Sequence, residues 1–198
     1  SFIFICCLPR SYTNQMYETN LKQIQSFSAS IIFRPGTPWE EKDLNSIRVL
    51  VAGTLNSIDC LDRMFADGEP NIEKIARALL NEHTSFAVII ECKKYILVGV
   101  DRLRSIPIFV GRNGREIIIS NNAHNILDVI KVQPVDWNAV TQFLLSGYIH
   151  GNKTLYESIE APSGGTFLVI EKDSGVITEQ SYYKYLPKPS GYHDRNEL

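Results

Sequence analysis

The chain has 198 residues with 20 basic and 22 acidic side chains, a net charge of −2. That length can bury the core of one domain or one and a half, and 44% apolar with 21% charged residues excludes a disordered or collagenous chain. The charge balance gives no reason to expect nucleic acid or an anionic membrane as partner, and no run of 18 apolar residues is present to span a bilayer.

The opening run SFIFICCLP (1–9) is greasy enough for a signal peptide. It lacks a basic start and a small-x-small cleavage site, and Pro9 breaks it, so it reads as a buried strand. Residues 11–25 are polar and mixed, a loop with a short helix at its end. SFSASIIF (26–33) reads as a strand stopped by Arg34-Pro35-Gly36-Thr37-Pro38. SIRVLVAGTL (46–55) is another, with Gly53 at a close backbone approach. Asp67-Gly68-Glu69-Pro70 starts a helix with Pro70 at its first position. Ile72, Ile75, Ala76, Leu79 and Leu80 then form one apolar stripe.

SFAVII (85–90) and YILVGV (95–100) form a hairpin across 91–94. IPIFV (106–110) and REIIIS (115–120) form a second across Gly111-Arg112-Asn113-Gly114. Asp136 caps a helix carrying Trp137, Val140, Thr141, Phe143 and Leu144, and Gly147 stops it. GTFLVI (165–170) and VITEQSYY (176–183) make a third hairpin, and Pro187 to Asp194 has linker composition. About eight hairpin strands with two clear helices specify an α+β layered-sheet protein rather than a βαβ alternation.

Free-standing catalytic motifs are missing: no P-loop, no His-Glu-x-x-His, no Gly-x-Ser-x-Gly, no dinucleotide fingerprint. The four histidines are scattered away from metal-ligand spacing, so no metal is expected. Ser163-Gly164-Gly165-Thr166 precedes a strand rather than a helix N-terminus and reads as a turn. Cys6, Cys7, Cys60 and Cys92 have no metal-like spacing and read as reduced thiols of a cytoplasmic protein, mostly small core residues.

Two segments carry a resemblance. FAVIIECKKYILVGVDRLRSIPIFV (86–110) and FLLSGYIHGNKTLYESIEAPSGGTFLVI (143–170) resemble the N-terminal glutaminase-type domain of the asparagine synthetase family. The matched positions are Phe86, Ala87, Asp101, Pro107, Ile108 and Phe109, then Leu144, Gly147, Tyr148, Thr154, Leu155, Tyr156, Ile159, Pro162 and Gly164. Ser181-Tyr182-Tyr183 resembles the family's strand end. The resemblance implies an N-terminal-nucleophile hydrolase fold, a four-layer αββα sandwich of two antiparallel sheets. It implies a glutaminase-type domain over 1–186 and, over 187–198, the start of a linker to an ATP-dependent synthetase domain. In active members an N-terminal Cys attacks the glutamine amide with its own amino group as base.

This chain departs from the family where that chemistry lies. Ser1 stands at the nucleophile, and serine needs stronger activation than cysteine. Of the glutamine-carboxylate segment only Arg34 is left, a candidate to fork onto a carboxylate. At the oxyanion hole the Asn is replaced by Ala52 and only Gly53 remains, and losing one such donor costs about 10²–10³ in rate. Glu69 stands near the family's ammonium-binding Asp. Val100 replaces the Arg before Asp101, and Arg104 replaces the Gly after it. Asp101 itself is structural or at the site's edge.

The resemblance therefore implies a scaffold domain without glutaminase activity, as in β-lactam synthetases and lasso-peptide cyclases. Two alternatives stay open: an active amidotransferase domain using Ser1 on glutamine, and a stand-alone interaction module. The implied partner is the chain's own C-terminal synthetase domain. ATP and Mg belong to that domain, no cofactor is expected in this one, and a homodimer is left open.

Overall fold

A computed structural model describes residues 28–33, 39–44, 47–66, 69–131 and 134–185. In chain order the strands are β1 (Ser28–Ile32), β2 (Trp39–Leu44), β3 (Ile47–Gly53), β4 (Phe65–Ala66) and β5 (Glu69–Pro70). A 3-10 segment, Ile58–Met64, lies between β3 and β4. Then come α1 (Ile72–Leu80), β6 (Phe86–Glu91), β7 (Tyr95–Val100), β8 (Phe109–Asn113), β9 (Glu116–Ser120) and α2 (Ala123–Ile130). The last elements are α3 (Trp137–Ser146), β10 (Ile159–Glu160), β11 (Thr166–Glu171) and β12 (Ile177–Ser181). This is a mixed α/β fold with two main sheets. One has the order β12-β11-β7-β6-β3-β2, the other β1-β9-β8-β10, and β4 pairs with β5 as a small ribbon.

Strand β6 shows why the sheets pack as they do. Every residue of Phe86–Glu91 is buried, so both faces of this strand are covered. Side chains alternate across a strand. Phe86, Val88 and Ile90 join Val49, Val51, Leu97 and Phe167 in a cluster with Ile75 and Leu79 of α1 and Leu61 of the 3-10 segment. Ala87 and Ile89 point the other way, with Leu50, Ile96, Val98 and Leu168, and meet Val110, Ile117 and Ile119 of the four-stranded sheet. A third cluster sets Ile118 of β9 against Ile126 of α2 and Ile159 of β10.

The three expected hairpins form, with shifted bounds. The second ladder runs on to Asn113 opposite Glu116, so the turn is Gly114-Arg115 and not 111–114. Pro70 ends β5 instead of opening α1; the cap is Asn71, whose side chain accepts from the Lys74 N–H at 3.0 Å. Helix α3 starts and stops as expected: Asp136 accepts from the N–H groups of Asn138 and Ala139, and Gly147 terminates it in the left-handed conformation.

Besides the 3-10 segment and the two-residue strands β4, β5 and β10, two longer elements are additions. WEEKDL forms edge strand β2, and AHNILDVI forms α2, capped by Asn122. A third finding corrects the all-antiparallel expectation. Strand β1 pairs with β9 in parallel, so the four-stranded sheet is mixed. Of the cysteines, Cys92 is buried and its thiol is pushed up by burial, whereas Cys60 is exposed and not part of the core. Cys6, Cys7 and the opening strand lie outside the described residues. No helix among the described residues is long and apolar enough to cross a membrane.

Candidate functional site

One edge of the six-stranded sheet gathers the chemistry-bearing positions. Gly53 at the end of β3 pairs with Phe86 at the start of β6, and Ala87 pairs with Val100 at the end of β7. Thr166 at the start of β11 pairs with Ser181 at the end of β12. The register thus brings Ala52–Gly53, Asp101–Ser105, Ser163–Thr166 and Ser181–Tyr185 to one side.

Gly53 has φ +81°, and a Cβ there would lie 2.2 Å from the Ser85 carbonyl oxygen. Only glycine meets both constraints. The next amide, Thr54 N–H, donates to that same Ser85 oxygen at 3.0 Å. Ala52 is buried beside it and brings only a methyl group, so its side chain supplies no donor.

Asp101 is buried and fully engaged. Its carboxylate accepts from Phe86 N–H (3.2 Å), Leu103 N–H (2.8 Å), Ser105 N–H (3.1 Å) and Ser105 Oγ (3.2 Å). Its backbone N–H donates to Phe86 O, and its carbonyl accepts from Arg104 and Gly165. This residue ties β6, the turn after β7 and the loop before β11 together. Tyr182 adds a bond across the same edge, donating to Val100 O at 2.6 Å. Burial, and then the Asp101 charge, push its phenol above the ordinary value.

Arg104 stands where the resemblance has a glycine, and it keeps a glycine's backbone, with φ +53°. A left-handed non-glycine residue costs roughly 1–2 kcal/mol. Its guanidinium donates to Pro162 O at 3.4 Å, and burial lowers its affinity for the proton. Arg104→Gly is therefore expected to raise stability by up to about 1 kcal/mol, while the β-branched Arg104→Val lowers it by more than that. Thermal unfolding of the two variants measures the difference; equal melting temperatures would show that no strain is stored there.

A groove of about 600 Å³ opens on this edge, lined by Arg102, Ser163, Thr166, Glu179, Tyr183 and Tyr185 among others. Arg102 lies over the Tyr183 ring, 4.6 Å from its centre, and donates to Leu80 O at 2.5 Å. Glu179 accepts from Ser163 N–H (3.1 Å) and Thr166 Oγ (2.9 Å), which fixes the loop the sequence marks as a turn. A Cβ on Gly164 would lie 2.6 Å from Arg102 O, so the glycine there answers a packing need.

Sequence reasoning passed over Glu82. It lies buried between α1 and β6 and accepts from Ser57 N–H (2.7 Å), Asn56 N–H (3.2 Å) and Asn56 Nδ2 (3.0 Å). Thr84 Oγ1, which donates to Thr54 O at 2.6 Å, is its neighbour. Glu82 thus holds the chain that leaves Gly53. Burial works to raise its carboxyl, but the hydrogen bonds from Ser57 and Asn56 outweigh it and leave it below the ordinary value. Its contribution is present above the unfolded value near pH 4.3 and fades as pH falls through the lower native one. Between pH 5 and 3 the stability of the wild type should therefore drop with pH more steeply than that of Glu82→Gln. Denaturation at several pH values tests this, and parallel curves would remove Glu82 from the account.

The other candidate residues fall elsewhere. Glu69 is exposed and pairs with Lys94 (2.8 Å) in the turn after β6, at the opposite end of the strands from Gly53. The Lys94 hydrogen bond and charge hold its carboxyl below the usual range. The structure thus brings Gly53 and Asp101 to one edge and leaves Glu69 apart. Ser1 and Arg34 lie outside the described residues. Among the described residues no group of three or more His, Cys, Asp or Glu side chains is placed to hold a metal ion.

No family model and no curated protein matches the chain. Solved structures are similar to it over part of its length, two of them as follows. One is glutamine phosphoribosylpyrophosphate (PRPP) amidotransferase from B. subtilis complexed with ADP and GMP, at 14% identity and a TM-score of 0.44, covering 73% of this chain and 31% of that one. The other is described as the allosteric regulatory enzyme of purine biosynthesis, at 14% identity and a TM-score of 0.44, covering 73% of this chain and 30% of that one. The chain spans less than a third of the length of either.

Proposed function

We infer that the chain is a glutaminase-type domain of an asparagine synthetase-like, ATP-dependent amide-forming enzyme, and that it serves that enzyme as a scaffold without hydrolysing glutamine. One observation carries the reading. Gly53 keeps the left-handed turn against Ser85, while the neighbouring position is Ala52, a buried methyl where the resemblance calls for an amide donor. This supports reading the pair as an oxyanion hole whose glycine turn is kept and whose side-chain donor is gone. Losing such a donor costs about 10²–10³ in rate.

Three apolar clusters support a four-layer αββα arrangement in this reading: α1 on the six-stranded sheet, that sheet on the four-stranded one, and α2 beyond. Residues 1–186 then form the domain, and 187–198 begin the linker to a synthetase domain that uses ATP and Mg. The protein is cytoplasmic in this reading.

Incubation of the purified chain with glutamine, with glutamate as readout, tests the inference. Release at background, unchanged in Ser1→Ala, is the expected result. Release that disappears in Ser1→Ala would make Ser1 a working nucleophile and overturn the scaffold reading. An extended reading frame with no Ser-Gly-Gly-x-Asp-Ser loop downstream of Leu198 would favour a stand-alone interaction module.

A further inference from the structure

Helix α3 is apolar on two sides. Ala139 is buried and Val140 and Phe143 half-buried, facing the body of the protein. Trp137, Leu144 and Leu145, spaced i, i+7 and i+8, share another stripe and are 74%, 77% and 84% exposed. Tyr148, just past the helix, adds a fourth large side chain at 44%. No residue of Trp137–Ser146 is charged. The hydroxyls of Thr141 and Ser146 donate back to the carbonyls of Trp137 (2.8 Å) and Gln142 (2.7 Å), so these polar groups are spent within the helix. An uncharged helix with two apolar faces has the composition of a buried one, and a contiguous patch of this kind marks an interaction surface.

Composition and area together select the occupant. Depletion of charge is the mark of a permanent interface rather than a transient one. At about 150–250 Å² for a large aromatic side chain, the four residues expose on the order of 500 Å². Mated with a second copy they would bury about 1,000 Å² in all, the floor for a specific complex and short of the roughly 1,600 Å² of a standard one. Interfaces between domains of one chain run to roughly 600–1,500 Å², and a linker that holds the partners at about millimolar effective concentration lets so small an area suffice.

We propose that the outer face of α3, made by Trp137, Leu144, Leu145 and Tyr148, is the surface on which a second domain of the same polypeptide docks through an uncharged apolar patch of its own. This rests on the reading of the chain as the front domain of a longer amide-forming enzyme, and it names the contact that joins the two parts.

Oxidative footprinting read by mass spectrometry tests the proposal residue by residue. Trp137 and Tyr148 should label readily in the 198-residue chain and about five-fold less in the polypeptide extended through its natural downstream sequence. Leu145→Asp should restore labelling in the long form and leave the melting temperature of the short one unchanged. Equal labelling in both forms, with a downstream domain whose folding is shown by ATP-dependent thermal stabilisation, overturns the docking surface and leaves the functional reading intact. A downstream sequence without an ATP-using domain overturns the functional reading itself. A short form that sediments as a dimer, and as a monomer after Leu145→Asp, gives the face to a second copy and overturns the proposal. So does a monomeric short form in which Trp137 is already shielded.

Discussion

Asp101→Ala should lower stability by about 2–4 kcal/mol, a large share of what holds a marginal domain folded. The substitution removes one carboxylate, strands the buried N–H of Phe86 and leaves the part-buried N–H groups of Leu103 and Ser105 to water. An unsatisfied buried donor costs about 1–3 kcal/mol, and bonds to a charged acceptor are the stronger kind. Asp101→Asn keeps one acceptor oxygen and turns a donor toward the remaining N–H groups, so about half of the loss is expected. Urea midpoints at constant slope measure both. A loss below about 1 kcal/mol for the alanine variant would mean that water replaces the carboxylate. Asp101 would then not be the residue that holds this sheet edge.

Glu91→Ala is the second large effect, about 3–5 kcal/mol. Its carboxylate is 8% exposed and lies 2.7 Å from Lys172 Nζ and 3.7 Å from Arg48 Nη1. Arg48 also pairs with Glu41 at 2.6 Å, but Lys172, at 17% side-chain exposure, has its ion pair with Glu91. Deleting Glu91 leaves a half-desolvated cation uncompensated, which costs more than the pair contributes. The double variant Glu91→Leu with Lys172→Met, which removes both charges and keeps the volume, should therefore lose far less than Glu91→Ala alone. A double variant that loses at least as much would contradict the argument. The pair would then act through packing rather than charge.

What the sequence made legible was local. The hairpins of β6 with β7 and β11 with β12 announce themselves because β6, β7 and β11 are continuous apolar runs bounded by turn residues, and Ser174-Gly175 turns the chain back into β12. Helix α3 was readable because Asp136 and Gly147 mark its two ends. Strand β2 was not, because WEEKDL is a charged strand that, among the described residues, pairs with β3 on one side only. Helix α2 is short and follows a strand closely, leaving little room for a periodic signal. The parallel pairing of β1 was out of reach, since register between distant segments leaves no trace in either alone. At the candidate site, Gly53 could be singled out from its neighbours, and its positive φ agrees with a close backbone approach. Glu82 could not, because an acid between a helix and a strand carries no pattern until the donors of Asn56 and Ser57 are folded around it.

The parallel pair has a consequence for how the chain assembles. Ser30 donates to Glu116 across 86 residues of sequence. The hairpins of the six-stranded sheet close over short loops and can form as soon as their residues leave the ribosome. Strand β1 must wait for β9, made several seconds later at about 5–20 residues per second. Long loop closure is slow and is rewarded late. The oldest described strand is thus among the last to find its place, and on unfolding it should open among the first. Its amides are expected to exchange with solvent ahead of those of β6, although both lie in ladders of the same protein.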